Sequence, residues 1–327
     1  MRVSWAYFFL PPFTKSMQQL LEQAIRYAQP FLGQGTLADY IPALLRANPN
    51  HLGVSATTLD GKQYSAGDVG VPFSIQSISK ILSLIYVLNE RGKKKVLEKV
   101  GVEPSGNPFY SLVQLEYESG KPRNPLINAG AIAITGLMPG TSAQEKSNGL
   151  IQFLNSIVDG TALKINQEIY RSEFETSHRN RAVGYFMKHF GMIDGEVEAA
   201  VDAYFQQCSI EMTCAQLSRL SLFFPGGGTD PISHKKVTDP ENVKWVHALM
   251  AMCGLYDASG EFACTVGLPG KSGVGGGILA IVPGKMSISV FGPALDGKGN
   301  SIGGLKILEF LSRELRLSLF SPHFIYQ

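Results

Sequence analysis

Ser77-Ile78-Ser79-Lys80 sets a hydroxyl and an amine three residues apart, a spacing at which two side chains of one helix share a face. A serine hydroxyl is a weak nucleophile until a neighbouring base removes its proton, and a lysine of ordinary pKa, about 10.4, is protonated at neutral pH. Desolvation moves a lysine toward its neutral amine. Lys80 stands among Ile78, Ile81, Leu82 and Leu84, which supply that setting. The chemistry on offer is nucleophilic attack by Ser77 with Lys80 as its base. Patterns this short recur by chance, so the reading depends on what accompanies them.

What accompanies it is Lys271-Ser272-Gly273-Val274-Gly275-Gly276-Gly277-Ile278, at the start of a β-like run near the C-terminus. A Lys-Ser/Thr-Gly strand edge facing an SxxK helix is the arrangement of serine acyl-transfer enzymes of the penicillin-recognising type. The glycines let the backbone approach a substrate, and an edge N–H can complete an oxyanion hole with the N–H of the nucleophile. A phosphate loop is the competing reading. In that motif the lysine follows the last glycine, whereas here it leads. Between the two motifs, Asn128-Ala129-Gly130-Ala131 interrupts an apolar stretch with one amide. Ser172-Glu173 through His178-Arg179-Asn180 offers a carboxylate and an amide seven residues apart. Taken singly, Glu173 or Asn180 reads as part of a solvated helix face.

These residues need elements to hold them. Helical spacing predicts a helix over 17–27, and Asp60-Gly61 between 51–58 and 62–66 predicts a β-hairpin. The run 73–87 reads as one buried helix carrying the SxxK pattern. The stretch from 107 to about 259 lacks convincing strand pairs and has helical windows at 143–158, 177–191, 197–208, 214–224 and 241–253. Two β-like runs, 277–283 and 285–291, meet at Pro283-Gly284, and 301–316 closes the chain as an amphipathic helix. Ser77 and Lys271 must meet in one cleft. The expected organisation is therefore an α/β sheet lobe from 17–85 and 260–327, a helical lobe from 86–259, and a site between them.

Composition agrees with a folded, soluble protein: 327 residues, 44% hydrophobic and 17% charged, with a formal net charge of +2. Near-neutrality argues against nucleic-acid binding, which wants a concentrated basic face. Four scattered cysteines form no CxxC pair and suit reduced thiols, with no metal expected. No apolar run approaches the length of a membrane span, so the expectation is a cytoplasmic protein without membrane partners. Residues 1–16 hold a short apolar run and two prolines, and read as a tail ahead of a start at Met17.

Several segments together resemble the bacterial and mitochondrial-type glutaminases. They are Asp39-Tyr40-Ile41-Pro42, Gln76-Ser77-Ile78-Ser79-Lys80, Asn124-Pro125-Leu126-Ile127-Asn128-Ala129-Gly130-Ala131, Ser172-Glu173, His178-Arg179-Asn180, Cys253-Gly254-Leu255-Tyr256 and Lys271 through Gly277. The match runs in order from about Met17 to Leu317. The resemblance implies an α+β fold of the β-lactamase/transpeptidase type, with an antiparallel sheet, flanking helices from both chain ends and an inserted all-helical lobe. It also implies hydrolysis of L-glutamine to L-glutamate and ammonia without a cofactor, in a homodimer or homotetramer. Carried over by position, Ser77 is the nucleophile and Lys80 its base. Tyr40, Asn128, Glu173, Asn180, Tyr204, Tyr256 and Val274 line the substrate pocket, Val274 through its backbone. Glutamine's ammonium calls for an anion, which Glu173 supplies, and its carboxylate and amide call for donors. The leaving nitrogen needs an acid, for which Lys80 through Tyr256 is the expected route and Tyr204 the reserve. Two other readings share these residues: a penicillin-recognising Ser-Lys enzyme, and a non-catalytic amino-acid-binding protein. Asparagine as substrate stays open, because one methylene is worth only about 1–3 kcal/mol.

Overall fold

The computed structural model describes residues 16–105, 112–158 and 162–322. The expected tail therefore lies, but for Ser16, outside the described residues. Helix α1 (Met17–Ala28) starts where Ser16 and Gln19 form a reciprocal capping box, and it buries Leu20, Leu21, Ala24 and Ala28. Strands β1 (Gly53–Thr58) and β2 (Gln63–Gly67) form the expected hairpin. Its turn places Gly61 at φ 82°, a backbone that glycine adopts freely.

The run 73–87 departs from a single helix. Phe73–Ser74 is a short strand, β3; Gln76–Ile78 is a 3-10 turn; helix α2 runs from Ser79 to Lys99. Gln76 sits at φ 46°, in the left-handed region, which breaks the helical path just before Ser77. Ser77 and Lys80 thus stand on either side of the joint between the 3-10 turn and α2, with right-handed helical backbone at Ile78 and Ser79 between them. The expected boundary at 85/86 falls inside α2.

Next come α3 (Val113–Tyr117), α4 (Asn128–Leu137), α5 (Ala143–Asn155), strand β4 (Lys164–Ile165), α6 (Gln167–Thr176), α7 (His178–His189) and α8 (Val197–Cys208). Strand β5 (Ile210–Met212), α9 (Cys214–Leu220), α10 (Pro240–Cys253) and α11 (Ser259–Thr265) lead back to the sheet. The chain closes with β6 (Gly270–Ser272), β7 (Gly277–Val282), β8 (Met286–Phe291) and α12 (Ile302–Leu315), the last capped by Ser301. The fold class is α+β, as expected. The inserted segment is not all-helical, however, because β4 and β5 join β3 in a three-stranded sheet of order β3-β5-β4. Strands of two or three residues are too short to leave a period in the sequence.

The main sheet is antiparallel, with order β2-β1-β8-β7-β6, so chain-distant strands pair and β6 is left at the edge. Alternation splits its faces. Val54, Ala56, Ile278, Ala280, Ile288 and Val290 pack against α1, α11 and α12 in one core cluster. Ser55, Thr57, Ser287 and Ser289 point the other way and are also fully buried. Helix α9 meets that face through hydroxyls: Ser218 Oγ lies 2.9 Å from Thr57 Oγ1 and 3.1 Å from Ser55 Oγ. A second, larger cluster joins α2, α4, α5, α8 and α10 with Leu279, Ile281 and Phe291 of the sheet.

Candidate active site

Three backbone features bring the nucleophile and the glycine loop together. The turn after β3 holds Ser77 at 7% exposure. Gly273 and Gly275 pack against that turn so closely that a Cβ on Gly273 would stand 2.5 Å from the Ile75 carbonyl oxygen and 3.3 Å from Ser77 N. A Cβ on Gly275 would stand 2.3 Å from the Ser74 carbonyl oxygen. Only glycine permits this approach, and Val274 between them is carried to the wall facing Ser77.

The inserted helices supply the remaining wall. Asn128 begins α4, Glu173 lies near the end of α6, Asn180 in the first turn of α7 and Tyr204 on α8. A single cavity of about 330 Å³ is lined by Tyr40, Ser77, Asn128, Glu173, Asn180, Tyr204, Tyr256 and Val274, every residue expected to bind substrate. Ile41, Gln76, Thr176, Ser177 and Arg179 line it as well, and sequence reasoning assigned them no role. Their clue was adjacency: each lies within four residues of an assigned one.

Lys80 stands behind this wall at 1% exposure. Its Nζ donates to Asn128 Oδ1 at 2.7 Å and to the Leu126 carbonyl at 3.1 Å. Asn128 in turn accepts from the Tyr204 hydroxyl at 3.2 Å and donates through Nδ2 to Asn180 Oδ1 at 3.1 Å. Burial pushes the Lys80 ammonium down to about 8, as an apolar setting should. Burial also pushes the Glu173 carboxyl up to about 8, against the pull of the Lys80 cation. Glu173 is 4% exposed and its Oε2 has no hydrogen-bond partner in the structure. A buried carboxyl that no protein group satisfies is costly to keep in a folded chain. Tyr256 sits at φ 52° and its phenol is hydrogen-bonded to Ser77. Burial pushes the phenols of Tyr204 and Tyr256 upward, so both are neutral donors at neutral pH.

This arrangement offers a hydroxyl, a phenol hydrogen-bonded to it, a desolvated amine and a buried carboxyl around one cavity. The Glutaminase family model matches residues 35–320. The chain belongs to the glutaminase family. It is 49% identical over 305 residues to a glutaminase of Clostridium tetani, covering 93% of this chain and all of that one. It is 46% identical over 313 residues to a glutaminase of Geobacillus thermodenitrificans, covering 95% of this chain and all of that one. Among solved structures, a probable glutaminase of Bacillus subtilis is 38% identical with a TM-score of 0.87, covering 93% of this chain and 97% of that one. The Bacillus subtilis glutaminase has also been solved as a covalent complex with 5-oxo-L-norleucine, formed by reaction with 6-diazo-5-oxo-L-norleucine. That structure has a TM-score of 0.86 at 38% identity, covering 93% of this chain and 100% of that one. Glutaminases are amidohydrolases, and membership of the family makes this chain an enzyme of that class.

Among the described residues no three His, Cys, Asp or Glu side chains cluster as metal ligands, and no helix is long and apolar enough to cross a membrane.

Proposed function

We propose that this cavity hydrolyses the side-chain amide of L-glutamine through an acyl-enzyme on Ser77, with Lys80 as base. The observation that carries the proposal is the convergence of Ser77, Asn128, Glu173, Asn180, Tyr204, Tyr256 and Val274 on one cavity, with Lys80 buried directly behind Asn128. A neutral Lys80 amine that donates its two N–H groups to Asn128 and Leu126 keeps its lone pair for the Ser77 proton. Ser77 Oγ then forms a bond to the amide carbon while the N–H groups of Ser77 and Val274 hold the oxyanion. The C–N bond breaks as the nitrogen takes the proton back from Lys80 through Tyr256, and ammonia leaves. Water gives a proton to Lys80 and attacks the ester carbon, and the C–O bond to Ser77 breaks as Ser77 Oγ takes that proton back and glutamate leaves.

Glu173 pairs with the substrate ammonium, regaining its charge as it does so, and Asn180 and Tyr40 face the carboxylate end. On this reading the catalytic cleft lies between the sheet lobe and the inserted lobe. The protein works in the cytoplasm, a setting its four free thiols support, as a homodimer or homotetramer of the kind its family resemblance implies. The test is ammonia release from L-glutamine, L-asparagine and D-glutamine by the wild type and by Ser77→Ala. Release from L-glutamine that disappears in Ser77→Ala is the expected result. Equal release by the variant contradicts the scheme.

A further inference from the structure

Lys271 is one of the buried ionisable side chains to which the Ser77 scheme gives no role, and it lies nearest the catalytic phenol. Lys271 lies on the edge strand β6, fully buried, behind the cavity wall and outside its lining. Its Nζ donates to the Gly254 carbonyl at 2.8 Å and to the Ser272 carbonyl at 2.6 Å. These two N–H bonds exist whether or not the amine carries a third proton. The same Nζ stands 4.3 Å from the centroid of the Tyr256 ring. Both carbonyls belong to the frame around Tyr256. The Gly254 oxygen also accepts from Ser272 N at 3.2 Å, and the Tyr256 hydroxyl reaches the Ser272 oxygen at 3.5 Å. The turn presses onto β6 so tightly that a Cβ on Gly254 would stand 1.7 Å from the Gly270 oxygen. Tyr256 itself holds a left-handed backbone, which a bulky residue keeps only where its surroundings over-determine it.

We propose that Lys271 is a positioning residue for Tyr256, clamping the 254–256 turn onto β6 so that the phenol meets Ser77. The inference rests on the Ser77 scheme and on Tyr256 as its proton carrier. It also separates Lys271 from substrate recognition: Nζ is spent on backbone carbonyls and an aromatic face, and does not reach into the cavity. A reader of the substrate's carboxylate would act on binding. A clamp on the proton carrier acts on turnover.

The experiment is a double-mutant cycle on the full chain, with steady-state glutamine hydrolysis as readout and melting temperature as the check on folding. Lys271→Met removes both donors and Lys271→Gln keeps one side-chain amide donor. Displacing a catalytic group by about an ångström costs on the order of 10²-fold in turnover, so Lys271→Met should lower kcat by about that factor with KM little changed. Lys271→Gln should recover part of the loss. In a Tyr256→Phe background the same substitutions should add less than about twofold, because the group they position is already gone. If Lys271→Met does not fold, Lys271→Gln completes the cycle alone. A full additive loss on the Tyr256→Phe background overturns the proposal, as does a raised KM at unchanged kcat or a Tyr256→Phe variant as fast as wild type. Ammonia release by Ser77→Ala, measured alongside, reports separately on the Ser77 scheme.

Discussion

The acid limb of the pH profile should carry two protons, and Glu173→Gln should remove one of them. In the free protein, burial holds the Glu173 carboxyl up to about 8 and the Lys80 ammonium down to about 8. Substrate binding needs the carboxylate, and attack by Ser77 needs the amine, so the productive form has lost both protons. Each unit of pH below about 8 then costs roughly tenfold per group, about 1.4 kcal/mol each. Between pH 8 and pH 6 the two together should lower kcat/KM by about 2,500-fold, with a limiting slope of two. The Gln variant retains only the Lys80 ionisation. Its limb should have a slope of one, losing at most about 50-fold over the same range. That limb should also lie at lower pH, because the Glu173 charge that favours the Lys80 cation is gone. The variant's KM should rise at every pH, since the ammonium loses its counter-charge. The assay is ammonia release from sub-saturating L-glutamine across pH 5.5–9. A wild-type slope of one, or a Gln variant whose limb overlays the wild type, refutes the assignment of both groups.

Gly273→Ala forces a methyl to 2.5 Å from the Ile75 oxygen beside the nucleophile, and should cost on the order of 10²-fold in kcat by moving Ser77 against Val274; steady-state rates of the purified variant check it. His247 on α10 has an inaccessible Nε2 without a partner, and burial pushes its imidazole down to about 4. Because the folded value lies below the unfolded one near 6.5, stability is fully present above pH 6.5 and is lost as pH falls toward 4, by at most about 3 kcal/mol. Replacing His247 with Phe should flatten the fall in melting temperature between pH 7 and pH 4.5; an unchanged slope removes His247 from that role.

The chemistry was more legible in the chain than the elements that hold it. Ser77, Lys80 and the Lys271–Gly277 loop announce themselves by side-chain type and order. The local backbone around Ser77 does not, because it depends on Phe73 pairing with Met212, 139 residues away in sequence, and on Gln76 entering the left-handed region. Helix α4 was missed for a different reason. Ala129 through Leu137 are all buried, so no polar face marks a period, and Asn128 looked like an interruption when it is the first residue of the helix. Glu173 presents the opposite case: α6 is mostly polar and buries only Ile169 and Glu173, so the carboxylate looks solvated until the neighbouring helices cover it. Arg179, Thr176 and Ser177 reach the cavity because α6 ends and α7 begins at Ser177, and that bend cannot be read from residue types. By contrast, the hairpin, α8, α10 and the β7–β8 pair were readable, since each combines a clear period with a glycine, a proline or a cap at its end.

The central claim is a covalent ester on Ser77. Rapid acid quenching during L-glutamine turnover, followed by mass spectrometry of the peptide that contains Ser77, should show a γ-glutamyl adduct on that side chain. The adduct should accumulate when water attack is slowed and be absent from Ser77→Ala. Turnover with no adduct on Ser77, or an adduct on another residue, would contradict the account.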